Sequence, residues 1–170
     1  MAKSKVKAKP AKKFKSVAKK PASAAKKVRV LPVGMPWITP YLSVRDGVAA
    51  IAFYEKVFGF KKRFEMKDPQ GRLRHGEVQH NTGLVMLGEC MPEMGYKSPA
   101  DVGGSPVSLY VYVENVDAIT EAARAAGAKI VQEPKDQFYG DRTAEIVDPE
   151  GHRWSFATHF KDVKPEEMKG

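Results

Sequence analysis

The hydrophobic and polar positions of the chain change period several times, and each change predicts an element. After the linker LPVGMPW, the segment ITPYLSV alternates as a strand does. Asp46 then suits the N-cap of a helix, and Gly59 suits the position that follows it. The apolar residues at helical spacing between them are Val48, Ile51, Ala52 and Phe58. Three strands follow, FKKRFEM, RHGEVQH and GLVMLGE, with DPQG as a turn after the first. The order is β-α-β-β-β.

The same order is predicted a second time. The strand VSLYVYV leads to Asn115 as an N-cap, and Gly127 ends the helix that Asn115 begins. The remaining strands are AKIVQEP, RTAEIVD and HRWSFATH, and DPEG is the turn of the last hairpin. The pattern therefore predicts an α+β fold built from tandem βαβββ modules.

The two modules are also similar in sequence. Residues 48–83 match residues 116–151 at a constant offset of 68 positions, without a gap, and eleven of the 36 pairs are identical. Ordinary composition would give only about two or three identities. Two copies are too few for a solenoid. Small modules that each leave an apolar sheet face uncovered are expected to pack side by side, and the groove between them is the natural place for a ligand.

Charge separates the beginning of the chain from the rest. Residues 1–30 hold twelve of the 29 Lys and Arg and no Asp or Glu, which leaves 17 basic against 20 acidic side chains, a net charge of −3. We expect residues 1–34 to form a disordered basic tail and linker, rich in Lys, Ala and Pro. The tail lacks the apolar run of a signal peptide or a membrane span. It is either a polycation that makes weak, salt-dependent contacts with nucleic acid or an anionic surface, or a solubilising extension of a protein that starts at Met35.

The remaining sequence predicts one domain over residues 35–162. Module one spans 36–90, a loop spans 91–105, module two spans 106–160, and residues 163–170 are a polar C-terminal tail. The loop is rich in Gly, Pro and Met, and it is either a pliable lid or a mobile connector. The lone Cys90 excludes an internal disulfide, which fits a reducing cytoplasm.

Several phrases, taken together, resemble the vicinal oxygen chelate superfamily, which contains glyoxalase I, bleomycin-resistance proteins and extradiol dioxygenases. The phrases are AIAFYEKVFGF, VDAITEAARAAGAKIV and DPEGHRWSF. Within the superfamily, ITPYLSV, HGEV, EMGYKSPADVGGSPVSLYVYV and DQFYGDRTAEIVDPEGHRWSFATH look like the PhnB-like branch of glyoxalase/bleomycin-resistance proteins. The resemblance covers about residues 36–162.

This resemblance implies that each module forms a half-barrel, that paired half-barrels enclose the site, and that the protein is a homodimer. It does not imply whether a groove forms within one chain or across two. Metal-dependent members hold a divalent cation with four His or Glu side chains. The matching positions fall at Thr39, Met86, Ser108 and Ser155, and none is His or Glu. Hydroxyls and a thioether are poor ligands for such cations. We therefore predict a protein without metal or other cofactor.

Alternation along the third predicted strand places His75, Glu77 and Gln79 on one side of the sheet. The other side is apolar and should pack on the helix, so these residues should face the groove, as should Thr143 and Glu145. Glu77 and Glu145 could share one cavity, where one could act as an acid or base or receive a cationic ligand. Alternatively, each Glu pairs with Arg74 or Arg142, or lies in solvent at the rim. A metal site from His75 and Glu77 with His152 or His159 is a further alternative.

Module two offers other ligand-binding candidates. Ser108, Tyr110 and Tyr112 share one strand face, and the phenols could stack on a flat or cationic ligand. Arg142 could clamp an anion, or pair with Asp141 or Asp136. Trp154 and Phe156 are predicted core residues. A slip of one residue in the last hairpin would exchange Trp154 for Ser155 in the cavity.

Three functions follow as hypotheses. The first is a binding protein that holds a small organic ligand, neutral or cationic, in the groove. The second is a metal-independent lyase or isomerase in which Glu77, assisted by His75, moves a proton. The third is tethering of the domain through its basic tail. The sequence has no G-x-S-x-G, Walker lysine or C-x-x-C motif to suggest other chemistry.

Overall fold

A computed structural model of the chain describes residues 29–168. It contains two four-stranded sheets, each with one helix, as the α+β pattern predicted. Module one consists of β1 (Tyr41–Val44), α1 (Gly47–Phe58), β2 (Lys61–Lys67), β3 (Leu73–His80) and β4 (Gly83–Glu89). Module two consists of β5 (Ser108–Tyr112), α2 (Val116–Ala125), β6 (Lys129–Asp136), β7 (Asp141–Val147) and β8 (Arg153–His159). The predicted basic tail lies almost entirely outside the described residues.

The two sheets have the same topology. Their strand orders are β1-β4-β3-β2 and β5-β8-β7-β6. The first strand of each module runs parallel to the last, and the other neighbours are antiparallel. Each helix is the crossover between the first strand and the rest of its sheet. Within the described residues, no helix has both the length and the apolar composition needed to cross a membrane.

The helices begin and end close to their predicted caps. Their N-terminal ends, however, correspond at an offset of 69 positions, so the gap-free match at 68 is wrong by one residue there. Asp46 and Asn115 accept hydrogen bonds from backbone amides of the first turn, at Ala49 and Ala118. These N-caps lie 69 positions apart, whereas the positive-φ glycines after the helices, Gly59 and Gly127, lie 68 apart. α1 has 12 residues and α2 has 10. The buried positions follow the larger offset, as in the pairs Gly47/Val116, Ile51/Thr120 and Tyr54/Ala123.

Both modules contribute to one hydrophobic core. Tyr54 and Phe58 of α1 pack on the helix side of the second sheet, where their ring centroids lie 5.3 Å from Trp154 and 4.7 Å from Phe156, respectively. Trp154 and Phe156 are fully buried, which confirms their prediction as core residues. Since Ser155 alternates with them on β8, it lies on the other face, and this fixes the register of the last hairpin.

A buried carboxylate also links the modules. Asp148, in the turn after β7, accepts hydrogen bonds from the Tyr54 hydroxyl at 2.7 Å and the Trp154 indole N–H at 2.9 Å. Its other oxygen accepts the backbone N–H groups of Glu150 and His152. Both carboxylate oxygens of Asp148 are thus paired, which offsets the cost of burying this group between the packed modules.

Candidate functional site

Each sheet has one face against the helices and an opposite face, which we call its open face. Residues that pair directly across strands share a face. The open face of module one carries Tyr41, Ser43, Phe64, Met66, His75, Glu77, Gln79 and Met86. The open face of module two carries Ser108, Tyr110, Tyr112, Asp141, Thr143, Glu145, Arg153, Ser155 and His159. All but one of the predicted site residues, Arg142, therefore lie on these two faces.

Glu77 is held in place on the open face of module one. One carboxylate oxygen lies 3.3 Å from His75 Nε2, and the other lies 3.5 Å from the guanidinium of Arg63. Arg63 is the extra residue of a bulge in β2, since Lys62 pairs with Val78 and Phe64 with Glu77. The Glu77 side chain is only 14% exposed. The structure thus brings Glu77 and His75 together, and Arg63 compensates the carboxylate charge.

Glu145 has a different partner. Its carboxylate pairs with Arg153 of β8 at 2.6 Å, and its side chain is 35% exposed. The described contacts do not join Glu77 to Glu145, which lie in different sheets, and each is paired with an arginine of its own sheet. The arginines that pair with them are Arg63 and Arg153, not the same-strand Arg74 or Arg142 that were considered as alternatives.

Two of the predicted ligand residues make local hydrogen bonds. The side-chain amide of Gln79 donates to the carbonyl oxygen of Asn81 at 2.7 Å, in the turn between β3 and β4. Ser108 and Ser155 share a hydrogen bond of 2.7 Å between their hydroxyls. Any ligand that uses these groups must share or replace these bonds.

The donor set at the family's metal positions does not fit a divalent cation. In module two, Ser108 and Ser155 are neighbours that satisfy each other. In module one, the corresponding Met86 offers a thioether beside the Pro40–Tyr41 segment, and Thr39 offers a hydroxyl. Catalytic and structural divalent sites in proteins use carboxylate, imidazole or thiolate ligands. Among the described residues, no group of three or more His, Cys, Asp or Glu is placed to hold a metal ion, and this includes the alternative with His75 and Glu77.

A buried carboxylate that the sequence did not single out organises the open face of module two. Asp141 Oδ2 accepts hydrogen bonds from the hydroxyls of Tyr110 at 3.1 Å and Tyr112 at 2.9 Å. Burial, and then the bond to Asp141, raise the pKa of Tyr110 above its usual value; for Tyr112 the Asp141 bond is the larger cause of its raised pKa. Both phenols therefore stay protonated, while their rings remain about half exposed and 5.4 Å apart. Because both hydroxyl groups donate their protons to Asp141, a ligand would contact the aromatic rings rather than the hydroxyls.

His159 is the third partner of Asp141. Its Nδ1 lies 2.6 Å from Asp141 Oδ1, and its Nε2 lies 3.0 Å from the fully exposed Asp162. The bond to Asp141, followed by the bond to Asp162, raises the pKa of His159. Burial tends to raise the pKa of Asp141, but the bonds from His159, Tyr112 and Tyr110 together outweigh it, so the pKa of Asp141 is lowered. Asp141 is thus an ionised carboxylate with three donors.

Sequence reasoning treated Asp141 only as a partner for Arg142 and His159 only as a remote metal candidate. The two residues lie 18 positions apart and face each other because β7 and β8 form a hairpin. Once the DPEG turn is centred near Glu150, the pairs Val147/Arg153 and Asp141/His159 follow by counting outward. The turn motif was therefore a usable signal.

The structure places Arg142 away from the other candidates, on the helix side of the second sheet. Its guanidinium donates two 2.8 Å hydrogen bonds to Asp117 of α2 and a third to Asp136 of β6. These bonds, Asp117 first, raise the pKa of Arg142. Because two carboxylates occupy its donors, Arg142 joins α2 to the sheet instead of binding an anion. The alternative prediction of a pair with Asp136 is confirmed, and the pair with Asp117 was not predicted.

Among the clefts that the described residues form between the modules, two are large enough for a small ligand. The larger has a volume of about 710 Å³ and combines module-one and module-two side chains, among them Phe58, His80, Tyr112, Ile119 and His159. At this cleft the imidazole Nε2 of His80 lies 3.0 Å from the carbonyl oxygen of Tyr112, a contact that joins the two modules. The smaller cleft, about 400 Å³, lies between Tyr41 and Ser43 on one side and Leu109 and Arg153 on the other. Both volumes suit a small organic ligand.

The loop between the modules covers part of the open face of module one. It contains two short 3-10 turns, Pro92–Met94 and Pro99–Val102, and Met91 bridges to Tyr96. Met91, Met94 and Tyr96 line a further cleft of about 440 Å³ with Tyr41 and Arg74. The lid and the connector interpretations of the Met-rich segment both stay predictions.

Sequence comparison agrees with this fold. The pattern of the Glyoxalase/Bleomycin resistance protein/Dioxygenase superfamily matches residues 34–156. The chain therefore belongs to this superfamily. The match is to the superfamily as a whole, so the PhnB-like branch stays a prediction.

Individual relatives give the same assignment. The chain is 37% identical over 137 residues to uncharacterized proteins of Mycobacterium bovis and Mycobacterium tuberculosis, covering 79% of this chain and 90% and 81% of those proteins. It is similar to the crystal structure of TioX from Micromonospora sp. ML1, with 27% identity, a TM-score of 0.57, and coverage of 72% of this chain and 98% of TioX. A glyoxalase/bleomycin resistance protein/dioxygenase family enzyme from Burkholderia phytofirmans has the same fold, with 22% identity, a TM-score of 0.58, and coverage of 72% and 97%.

Proposed function

We propose that this protein is a metal-free, PhnB-like member of its superfamily that binds a small organic molecule in the groove between its two modules. The observation that carries the proposal is the inter-module cleft of about 710 Å³ beside Tyr112. Phe58 and Ile119 give it apolar walls, and Tyr112, His80 and His159 give it aromatic and polar groups. Binding sites for small molecules combine these features.

The proposal that no metal takes part is supported by donor chemistry. The four family positions carry two serines, a threonine and a methionine, and two of the hydroxyls are bonded to each other. The net charge of −3 outside residues 1–30 favours a neutral or cationic ligand.

Calorimetric titration with a panel of quinones, aromatic amines and glycopeptides tests the binding function. We expect saturable binding of at least one class, and Tyr112→Ala should weaken it about tenfold through loss of an aromatic wall. Tyr110→Ala is the matched control, because Tyr110 shares the open face and the bond to Asp141 with Tyr112 but is not among the residues that line the cleft. Failure of the whole panel, with Glu77→Ala behaving like wild type, contradicts the proposal.

A second candidate is a metal-independent lyase or isomerase. The contact of 3.3 Å between His75 and Glu77 favours it, because a histidine next to a carboxylate can pass a proton to and from a substrate. Turnover should then survive a chelator and be lost in Glu77→Gln. Loss of turnover on chelation would instead indicate a metal site.

We also propose that the protein is a homodimer. Large apolar side chains are exposed on the open faces, among them Tyr41, Phe64, Met66 and Tyr110, and a second copy could cover them. Light scattering should give twice the chain mass of 18.8 kDa. Phe64→Glu should shift the protein toward monomer, and a monomer in the wild type contradicts the proposal.

A cytoplasmic location, suggested by the lone Cys90, is a further proposal. Tethering through the basic tail is also a proposal, and it concerns mostly residues outside those described. Affinity for a nucleic acid should vanish when residues 1–30 are removed and should fall steeply with salt. Unchanged affinity after that deletion refutes the tethering function.

A further inference from the structure

The Asp141 cluster has no counterpart in module one. Outside the helices, the second and third strands of the modules correspond at an offset of 68 positions, and the first and last strands at 69. By this count Asp141 aligns with Leu73, a core residue that the irregularity at Arg74 turns to the helix side, and His159 aligns with Cys90. The same fold is built in module one without a carboxylate or a histidine at these positions. The cluster is thus an addition to the fold and not a requirement of it.

The geometry fixes which nitrogen of His159 is reactive. Both ring nitrogens lie beside carboxylates, but Asp141 is buried and 2.6 Å from Nδ1, whereas Asp162 is fully exposed and 3.0 Å from Nε2, so the stronger bond holds the proton of the neutral imidazole on Nδ1. The lone pair then resides on Nε2. The partner of Nε2 is Asp162, which is fully exposed and three residues further along the chain. Surface ion pairs of this kind are weak, so a ligand can displace Asp162.

His159 also borders the larger inter-module cleft, together with Tyr112 and Phe58. A planar molecule in this cleft would lie against aromatic side chains, with His159 at its edge, and would reach Nε2 once it displaces Asp162. The arrangement has three parts: a buried carboxylate, a histidine whose tautomer it favours, and a cleft that this histidine lines. Histidine general bases are activated in this way on unrelated folds.

We propose that His159 is a general base, with Asp141 as its positioning residue, that removes a proton from a planar organic substrate bound in the inter-module cleft. The proposal rests on the proposed function only in that the cleft must admit such a molecule. It differs from the Glu77 candidate because it assigns the proton transfer to another side chain in the other module.

The step can be written for a probe of known chemistry, 5-nitrobenzisoxazole. Nε2 of His159 takes the proton from C3 of the probe, and the C–H electron pair forms the second π bond of a nitrile. The N–O bond breaks, and the oxygen leaves as a coloured phenolate. No oxidant or reductant is needed. Asp141 stabilises the imidazolium that forms, and that imidazolium then loses its proton to water.

The pH dependence of this reaction has a definite sign. Only neutral His159 accepts a proton, so the rate rises with pH, with its midpoint at the pKa of His159, above the usual value of about 6.5. The titratable groups that face His159 are Asp141 of β7, Tyr110 and Tyr112 of β5, Tyr139 in the β6–β7 turn, Asp162, and across the cleft His80 and Glu114. Asp141→Asn removes the largest of these influences and should move the midpoint to lower pH.

The test is the rate of probe cleavage by the full chain, compared with free imidazole at equal concentration. We expect acceleration of about 10²-fold over imidazole, in the range for positioned general bases. His159→Gln should remove it, Asp141→Asn should reduce it and lower the midpoint, and Glu121→Gln on the exposed surface of α2 should match wild type. A wild-type rate no higher than imidazole, or an unchanged rate in His159→Gln, overturns the proposal.

Two further measurements separate the possible failures. An NMR titration of His159 gives its pKa in wild type and in Asp141→Asn, and an equal pKa in both overturns the positioning role even if the variant is less stable. Calorimetry with the probe separates catalysis from binding. Binding without acceleration overturns the general base and leaves the proposed function standing, whereas absence of binding counts against both.

Discussion

The two modules treat their shared glutamate in different ways. Each has a bulge in its second strand, and the bulge residue is Arg63 in module one and Val131 in module two. Glu77 pairs with the bulge residue Arg63, whereas Glu145 pairs with Arg153, whose counterpart in module one is Leu84. The charge of the glutamate is compensated in both modules, but from different strands. The repeated Glu thus comes with an arginine partner in both modules, and this pairing limits its freedom to act alone.

The modules differ more strongly in the other polar side chains of their open faces. Module one has Leu73 and Cys90 where module two has Asp141 and His159, and module one has Ser43 where module two has Tyr112. The duplication therefore predicts the shared fold, whereas the positions at which the two modules differ carry the polar groups that are specific to module two.

The contrast is largest in the core. Trp154 of β8 is fully buried, whereas its counterpart Val85 of β4 is partly buried. Trp154→Ala should lower the free energy of unfolding by about 3–5 kcal/mol, and Val85→Ala by about 1 kcal/mol, because the cavity scales with the atoms removed. Urea denaturation measures both. Ser155→Ala, on the open face, is the matched control, and a loss there as large as for Trp154→Ala would contradict the register.

Replacement of Asp141 by the residue of module one breaks the contrast directly. In Asp141→Leu we expect the pKa of His159 to fall, since the carboxylate that favours the imidazolium is gone. The phenol pKa values of Tyr110 and Tyr112 should fall as well, because Asp141 disfavours their ionised forms. NMR and ultraviolet titrations measure these changes. Unchanged values would show that the described cluster does not persist in solution.

Stability should depend on pH through the same cluster. His159 has a raised pKa in the folded state, so its contribution is fully present below its unfolded pKa of about 6.5. The contribution is lost as the pH rises through the folded pKa. The difference in unfolding free energy between wild type and His159→Gln should therefore shrink between pH 6 and pH 9. A difference that grows over this range would reverse the assigned charge state.

The two arginines should differ in importance by a small amount. Arg63→Ala leaves Glu77, which is 14% exposed, without its cation and also removes bonds to the carbonyl oxygens of Val33 and Gly34. Arg153→Ala leaves Glu145, which is 35% exposed and better hydrated. We expect about 1 kcal/mol for the first and less than about 0.5 kcal/mol for the second, as measured by urea denaturation. Equal losses would remove this distinction between the modules.

The sequence predicted the scaffold because its signals are local. Alternation identified the strands and separated Trp154 and Phe156 from Ser155, and Asp46 and Asn115 capped the helices as short polar residues do. The site was harder because its contacts are not local. Arg63 reaches Glu77 only through a bulge, and periodicity does not predict a bulge. Arg142 turned to the helix side because it follows Asp141 by one residue and so faces the opposite way.

We propose that this fold works without a metal in this protein. Elemental analysis of the protein tests it most directly, after incubation with Mn²⁺, Ni²⁺ or Zn²⁺ and gel filtration at pH 7.5. With hydroxyl and thioether groups at Thr39, Met86, Ser108 and Ser155, we predict well below about 0.1 metal ion per chain. One metal ion per chain, lost together with ligand binding on chelation, would contradict the account.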